Sequence, residues 1–160
     1  MALLNHNIRI EGVDTYELEE YGAKLMVRGD EDETMAYITN VEMTKCGQPQ
    51  LPIGDSCVTL LMHGNVEEVY FINMAIHHSY GRGFHLPRNS EGVEILYNTL
   101  YDVAGHNILL RGTFTVAFVI KNVLINPKKS WRMHQSDLLP SGIKFDGPMN
   151  IIFRNRIGGG

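Results

Sequence analysis

The residues best suited to chemistry are histidines. The chain has seven, and His77-His78, with His85 seven positions further on, forms the densest group. Neutral imidazole is a common metal ligand, so rings from a strand and its following loop are candidates for holding one ion. A small β-barrel metal-binding enzyme or binding protein using His77/His78 and His85 is therefore one function class to weigh. Against convergence, adjacent residues in a strand point to opposite faces. No Glu lies between His77 and His85, and there is no HExxH pair. The spacing predicts no metal and no other cofactor. Nucleophile patterns are absent too: there is no GxSxG elbow, and neither cysteine has a neighbouring His to act as base. Gly81-Arg82-Gly83 runs on into Phe84-His85-Leu86 and lacks the third glycine of a phosphate loop. The sequence assigns no catalytic residue, and the expectation is a protein that is not an enzyme.

Charge offers a second kind of chemistry. Glu11 to Glu33 has nine acidic residues against Lys24 and Arg28, a net −7, whereas Arg82 to the C-terminus has ten Lys or Arg against five acidic residues, a net +5. Glu17, Glu19 and Glu20 on one molecule, with Arg82, Phe84 and Arg88 on another, form a candidate self-association set. Lys128, Lys129 and Arg132, beside Trp131, are candidates for an anionic partner such as RNA or a lipid surface. The plain alternative is solvated loop charge, and overall acidity, −4 for the whole chain, opposes non-specific nucleic-acid binding.

The elements that must carry these residues read mainly as strands. Asn107 to Ile125 is the longest strand-like run, with Leu110, Gly112, Phe114, Val116, Phe118 and Ile120 on the expected core face. Ala23–Arg28 with Thr34–Thr44, and Cys57–His63 with Val69–His77, read as two hairpins. Ser90 looks like an N-cap, and Val93, Leu96, Tyr97, Leu100 and Val103 follow at helical spacing, so one helix is expected at about 90–104. The fold class is α+β: an antiparallel, strongly curled sheet with that helix covering one side. Residues 1–20 read as a flexible acidic arm, 21–157 as a single domain and 158–160 as a flexible Gly tail.

Length and composition bound the rest. At 160 residues and 44% hydrophobic content the chain can bury its own core. No internal repeat is visible. Cys46 and Cys57 form no CxxC pair, which predicts free thiols and a reducing compartment. No signal-like or membrane-spanning apolar run is present.

The order Gly81-Arg82-Gly83-Phe84-His85-Leu86-Pro87-Arg88, then Asn107 to Val116, then Trp131 and His134 ahead of a strand at Asn150–Phe153, resembles that of rhabdovirus matrix proteins, in a plant- or insect-virus-like form. The resemblance implies a non-catalytic structural protein that self-associates as a homo-oligomer. It further implies binding of the viral nucleocapsid and of the anionic inner membrane surface, in the virion and host cytoplasm, with no small-molecule substrate.

Overall fold

Short apolar-alternating runs, each closed by a residue that bends the chain sharply, build this protein. The computed structural model describes residues 7–13, 21–29, 34–49, 56–62, 65–87, 91–112, 116–130 and 135–159, with the side chains of 62–67 and 136 outside that description. Sixteen strands lie among the described residues, on three faces. Face 1 stacks β1 (Ile8–Glu11), β4 (Val41–Thr44), β7 (Ala75–His77), β10 (Thr99–Tyr101), β13 (Val123–Ile125) and β16 (Arg156–Gly158). Face 2 stacks β2 (Leu25–Gly29), β5 (Ser56–Met62), β8 (Arg82–Leu86), β11 (Ile108–Leu110) and β14 (Ile143–Phe145). Face 3 stacks β3 (Met35–Thr39), β6 (Asn65–Ile72), β9 (Glu91–Leu96), β12 (Val116–Ile120) and β15 (Ile151–Phe153). The chain visits the three faces in turn, and every pairing is parallel. Each circuit is thus one coil lying about 4.8 Å from the next, which makes the molecule a parallel β-helix.

Like stacks on like inside it. The inward column of face 1 is Ile10, Met43, Ile76, Leu100, Leu124 and Ile157. Face 2 contributes Leu25, Val58, Phe84, Ile108 and Ile143, and face 3 Ile38, Phe71, Ile95, Val119 and Ile152. Phe71 and Phe84 meet across the interior with ring centroids 5.4 Å apart. Each such fully buried side chain contributes about 1.5–3 kcal/mol. The coils differ in length: equivalent residues are 24 positions apart from Met74 to Asn98 and from Asn98 to Asn122, but 33 from Asn122 to Asn155. The additions lie between strands and leave the columns in register.

Several expectations are overturned. The fold is not an antiparallel α+β sheet. The segment expected to be a helix, about 90–104, carries β9 and β10, because Val93 and Ile95 point inward at period two and Tyr97 breaks the run at φ 57°. The expected hairpins fail since β2 pairs with β5 and β3 with β6, each strand going to a different face from its neighbour in sequence. The long run Asn107–Ile125 is three strands on three faces, and in β12 the buried residues are Ala117 and Val119 while Phe118 sits on the half-buried outer side. Phe114 lies outside the described residues. Cys46 and Cys57, both fully buried, form a disulfide with Cα atoms 4.9 Å apart, so the thiols are not free. Arg82 and Phe84, expected to face a second molecule, lie in the buried strand β8: a Cβ on Gly83 between them would stand 2.4 Å from the Asn107 carbonyl oxygen of the next coil, so that position needs glycine. Within the supposed arm, β1 pairs with β4. Among the described residues no helix is long and apolar enough to cross a membrane.

Candidate anion-binding cleft

The turn from face 3 into face 1 is a two-residue corner repeated in successive coils. Its first residue is Asn40, Asn73, Tyr97, Lys121 or Arg154, each left-handed with φ of 53–57°. The N–H groups of Asn40, Asn73, Tyr97 and Lys121 donate to the carbonyls of Ile72, Leu96, Ile120 and Phe153 in the following coil at 3.0–3.2 Å. The five residues therefore form one column along the corner, and the last four are exposed.

The second corner residue turns inward and holds the column together. Asn98 Oδ1 accepts the Met74 N–H at 2.8 Å, and Asn98 Nδ2 donates to the Phe71 carbonyl at 2.9 Å. One coil on, Asn122 Oδ1 accepts from both the backbone and the side-chain N–H of Asn98, while its Nδ2 donates to the Ile95 carbonyl and to Asn155 Oδ1, each at 2.9 Å. Asn155 Nδ2 closes the ladder on the Val119 carbonyl at 2.7 Å. An amide suits this place because it offers two donors and an acceptor to backbone groups that a corner leaves without strand partners.

At the last two coils the outer column becomes basic. Lys121, Asn122, Val123, Arg154 and Arg156 line a cleft of about 360 Å³. Lys121 Nζ sits 5.0 Å from the Tyr97 ring centroid and 3.2 Å from its hydroxyl, and the Arg154 guanidinium lies 4.9 Å from the centroid of Phe153. Contacts of a cation with an aromatic face are worth about 0.5–1 kcal/mol at exposed sites, enough to bias where the two side chains rest. Arg156 belongs to the outward row Arg9, Glu42, Ala75, Thr99, Val123, Arg156 of face 1, where the nearest carboxylate, Glu42, is four coils or roughly 19 Å away. Among the described residues no carboxylate pairs with Lys121, Arg154 or Arg156. Three uncompensated positive charges around one recess raise the local concentration of anions.

Other charged groups among the described residues make close contacts. On face 1, His77 Nε2 meets Glu42 Oε1 at 2.9 Å and its Nδ1 meets His78 Nδ1 at 2.7 Å, a contact in which only one of the two nitrogens can carry the proton. His78 Nε2 lies 4.0 Å from Asp102, which pairs with Lys128 and accepts from Asn126 Nδ2. Under face 2's outer edge, Arg82 donates through Nε to Asp137 Oδ1 at 2.9 Å, with a second contact from Nη2, and both residues are about 1% exposed or less. His106 joins them: its Nδ1 accepts the Ser141 N–H at 3.1 Å, so its Nε2 carries the proton and faces Asp137 at 3.6 Å. Ser141 Oγ lies 3.0 Å from the same Nδ1, but a ring nitrogen already bonded to a backbone N–H is no base for that hydroxyl. The group ties Ser130, the turn Gln135–Leu138 and Ser141 to the coils.

On face 3 the outer row Tyr37, Tyr70, Glu94, Phe118, Ile151 is largely apolar, with Tyr37 and Tyr70 stacked at 5.1 Å. Partial desolvation first, then the Glu94 and Glu68 carboxylates, hold the Tyr70 phenol above its ordinary value of 10.0.

The residues singled out from sequence do not come together. Arg82 is bound to Asp137, and Phe84 is fully buried in the core; neither can reach a second molecule from where it lies. Glu17, Glu19, Glu20, Arg88 and Arg132 lie outside the described residues. Lys128 is committed to Asp102, while Lys129 is exposed. His85 is 7% exposed on face 2 and the paired His77 and His78 are on face 1, so the proposed metal ligands do not converge. No group of three or more His, Cys, Asp or Glu suited to a metal ion occurs among the described residues. The cleft residues Lys121, Arg154 and Arg156 entered the sequence reading only as part of a charge total. Their signal was the recurring pair at the corner, Tyr97-Asn98, Lys121-Asn122 and Arg154-Asn155, each preceded by two apolar residues.

The coil geometry and corner ladder define a parallel β-helix protein. The family model described as CEMIP beta-helix matches residues 20–158, and the chain belongs to that family. This match, with the all-strand architecture, overturns the resemblance to rhabdovirus matrix proteins and the viral assembly role that it implied. No curated protein and no solved structure matches the chain.

Proposed function

We propose that this chain binds an acidic polysaccharide, with a uronate carboxylate seated in the Lys121–Arg154–Arg156 cleft. The observation that carries the reading is three cations around one recess with no carboxylate paired to them among the described residues. Arg154 and Arg156 offer planar forks that match a carboxylate, and Lys121 adds a point charge. Tyr97 and Phe153 beside them present faces on which a sugar ring can rest. Membership of the CEMIP beta-helix family, which is hyaluronan-related, supports a uronate-bearing ligand. The buried Cys46–Cys57 disulfide fits an oxidising compartment, where such polymers occur. The reading is of binding: among the described residues the cleft is lined by Lys121, Asn122, Val123, Arg154 and Arg156, a set that holds an anion.

The test is calorimetric titration of the whole protein with a short oligosaccharide of alternating uronate and N-acetylhexosamine, against a neutral oligosaccharide of equal length. Exposed charge pairs are worth up to about 1 kcal/mol each. The combined change Lys121→Gln, Arg154→Gln and Arg156→Gln is therefore expected to weaken uronate binding by about 30- to 150-fold, with a fall in melting temperature of no more than about 2–8 °C from the two lost cation–aromatic contacts. Equal binding of the neutral sugar, or an unchanged affinity in the triple variant, would contradict the reading.

A further inference from the structure

We infer that the polysaccharide lies along the β-helix axis over the corner between faces 3 and 1, one sugar residue per coil. It would run from the basic cleft across Tyr97 to Asn73. The inference rests on reading the cleft as a uronate site and adds the direction, register and extent of the ligand.

The corner column repeats at the coil spacing of about 4.8 Å, which is comparable to the length of one pyranose residue in an extended chain. Column and polymer can therefore stay in step, as a shorter or longer repeat could not. The first residue of every corner is left-handed, and Asn73, Tyr97, Lys121 and Arg154 are all exposed, which gives an unbroken track. Its chemistry changes in a useful order. Arg154 and Lys121 supply charge, Tyr97 supplies a ring face, and Asn73 supplies an amide that already donates to Asn40 Oδ1 at 2.6 Å and so is held in place. In a polymer with a uronate at every second sugar, a carboxylate at Lys121 puts the next one two coils on, at Asn73.

The alternative path runs around a coil, and it fares worse in both directions. Toward face 3 the last coil presents Phe153 and Ile151, both exposed and apolar. Toward face 1 it passes Arg156 and reaches Ile157 and Gly158, with no further polar side chain on the strand. A polyhydroxylated, charged chain has partners along the axis and few across it.

A length series tests this with the whole protein: a disaccharide, tetrasaccharide, hexasaccharide and octasaccharide of alternating uronate and N-acetylhexosamine. Affinity should rise to the tetrasaccharide or hexasaccharide and then level off, because four coils carry the exposed track from Arg154 to Asn73. Asn73→Gly keeps the left-handed backbone while removing the amide. It should weaken the hexasaccharide about three- to tenfold and leave the disaccharide unchanged. Affinity independent of length beyond the disaccharide, or an Asn73→Gly effect equal at all lengths, overturns the axial path while the cleft reading survives. Failure of every uronate oligosaccharide to bind the wild-type protein overturns both.

Discussion

Replacing Asn122 with Ala should remove the middle rung of the corner ladder. Four hydrogen bonds of the side chain go: two accepted from Asn98, and two donated to the Ile95 carbonyl and to Asn155 Oδ1. Asn122 is fully buried, so the Asn98 N–H it leaves behind has no ready access to water. At about 1 kcal/mol net for each of the four bonds, the loss is about 4 kcal/mol. That is a large part of the 5–15 kcal/mol typical of a domain. For a chain of this size it corresponds to a fall in melting temperature of roughly 8–16 °C. Asn155→Ala is the internal comparison. Asn155 is only half-buried and its side chain makes three ladder contacts, so about 2 kcal/mol is expected. Urea denaturation followed by circular dichroism measures both, and the slope m should stay constant if the coils still unfold together. An Asn122→Ala loss below about 1 kcal/mol, or one smaller than for Asn155→Ala, would refute the claim that the ladder holds the corner.

Three further outcomes follow from the same geometry. Reducing the disulfide, or making Cys46→Ala with Cys57→Ala, should cost about 3 kcal/mol by the loop-closure argument for an 11-residue separation; an unchanged urea midpoint would contradict it. Asp137→Ala should cost about 3–5 kcal/mol because the Arg82 charge is left buried, whereas exposed Lys129→Ala should stay within about 0.5 kcal/mol; similar effects of the two would contradict the buried network. Tyr70, whose phenol is raised above 10.0, holds its proton more tightly folded than unfolded. Its stabilising contribution is therefore present below about pH 10 and lost as pH climbs through the raised folded value. Tyr70→Phe should flatten that alkaline decline, and an identical decline in the variant would show that the shift lies elsewhere.

Much of the strand content was legible in the sequence, and the arrangement of strands was not. Alternation at β2, β4, β5 and β6 is a local property and reads directly from the letters. Pairing is set by the corners, and an isolated Tyr97 or Lys121 carries no mark of a left-handed φ, since glycine is the residue that usually signals one. Without that mark, β9 and β10 merged into a helix-like spacing, and Asn107–Ile125 merged into one long strand with Phe118 on the wrong side. The repeat was hidden because coils of 24 and 33 positions alternate irregularly. Aligning Tyr97-Asn98, Lys121-Asn122 and Arg154-Asn155 would have exposed it. The disulfide was missed for a related reason, since two cysteines eleven apart meet only if the chain rounds a corner between them. The cleft went unread with the repeat, for Lys121 and Arg154 become neighbours only through the coil stacking that those corner pairs mark.

The most direct measurement of the central claim is backbone chemical-shift mapping of the isotopically labelled protein during titration with a uronate-bearing oligosaccharide. The account predicts the largest shifts at Lys121, Asn122, Val123, Arg154 and Arg156, with little change at His77, His78 and Lys128. Shifts centred on that second group, or none at the cleft under saturating sugar, would contradict it.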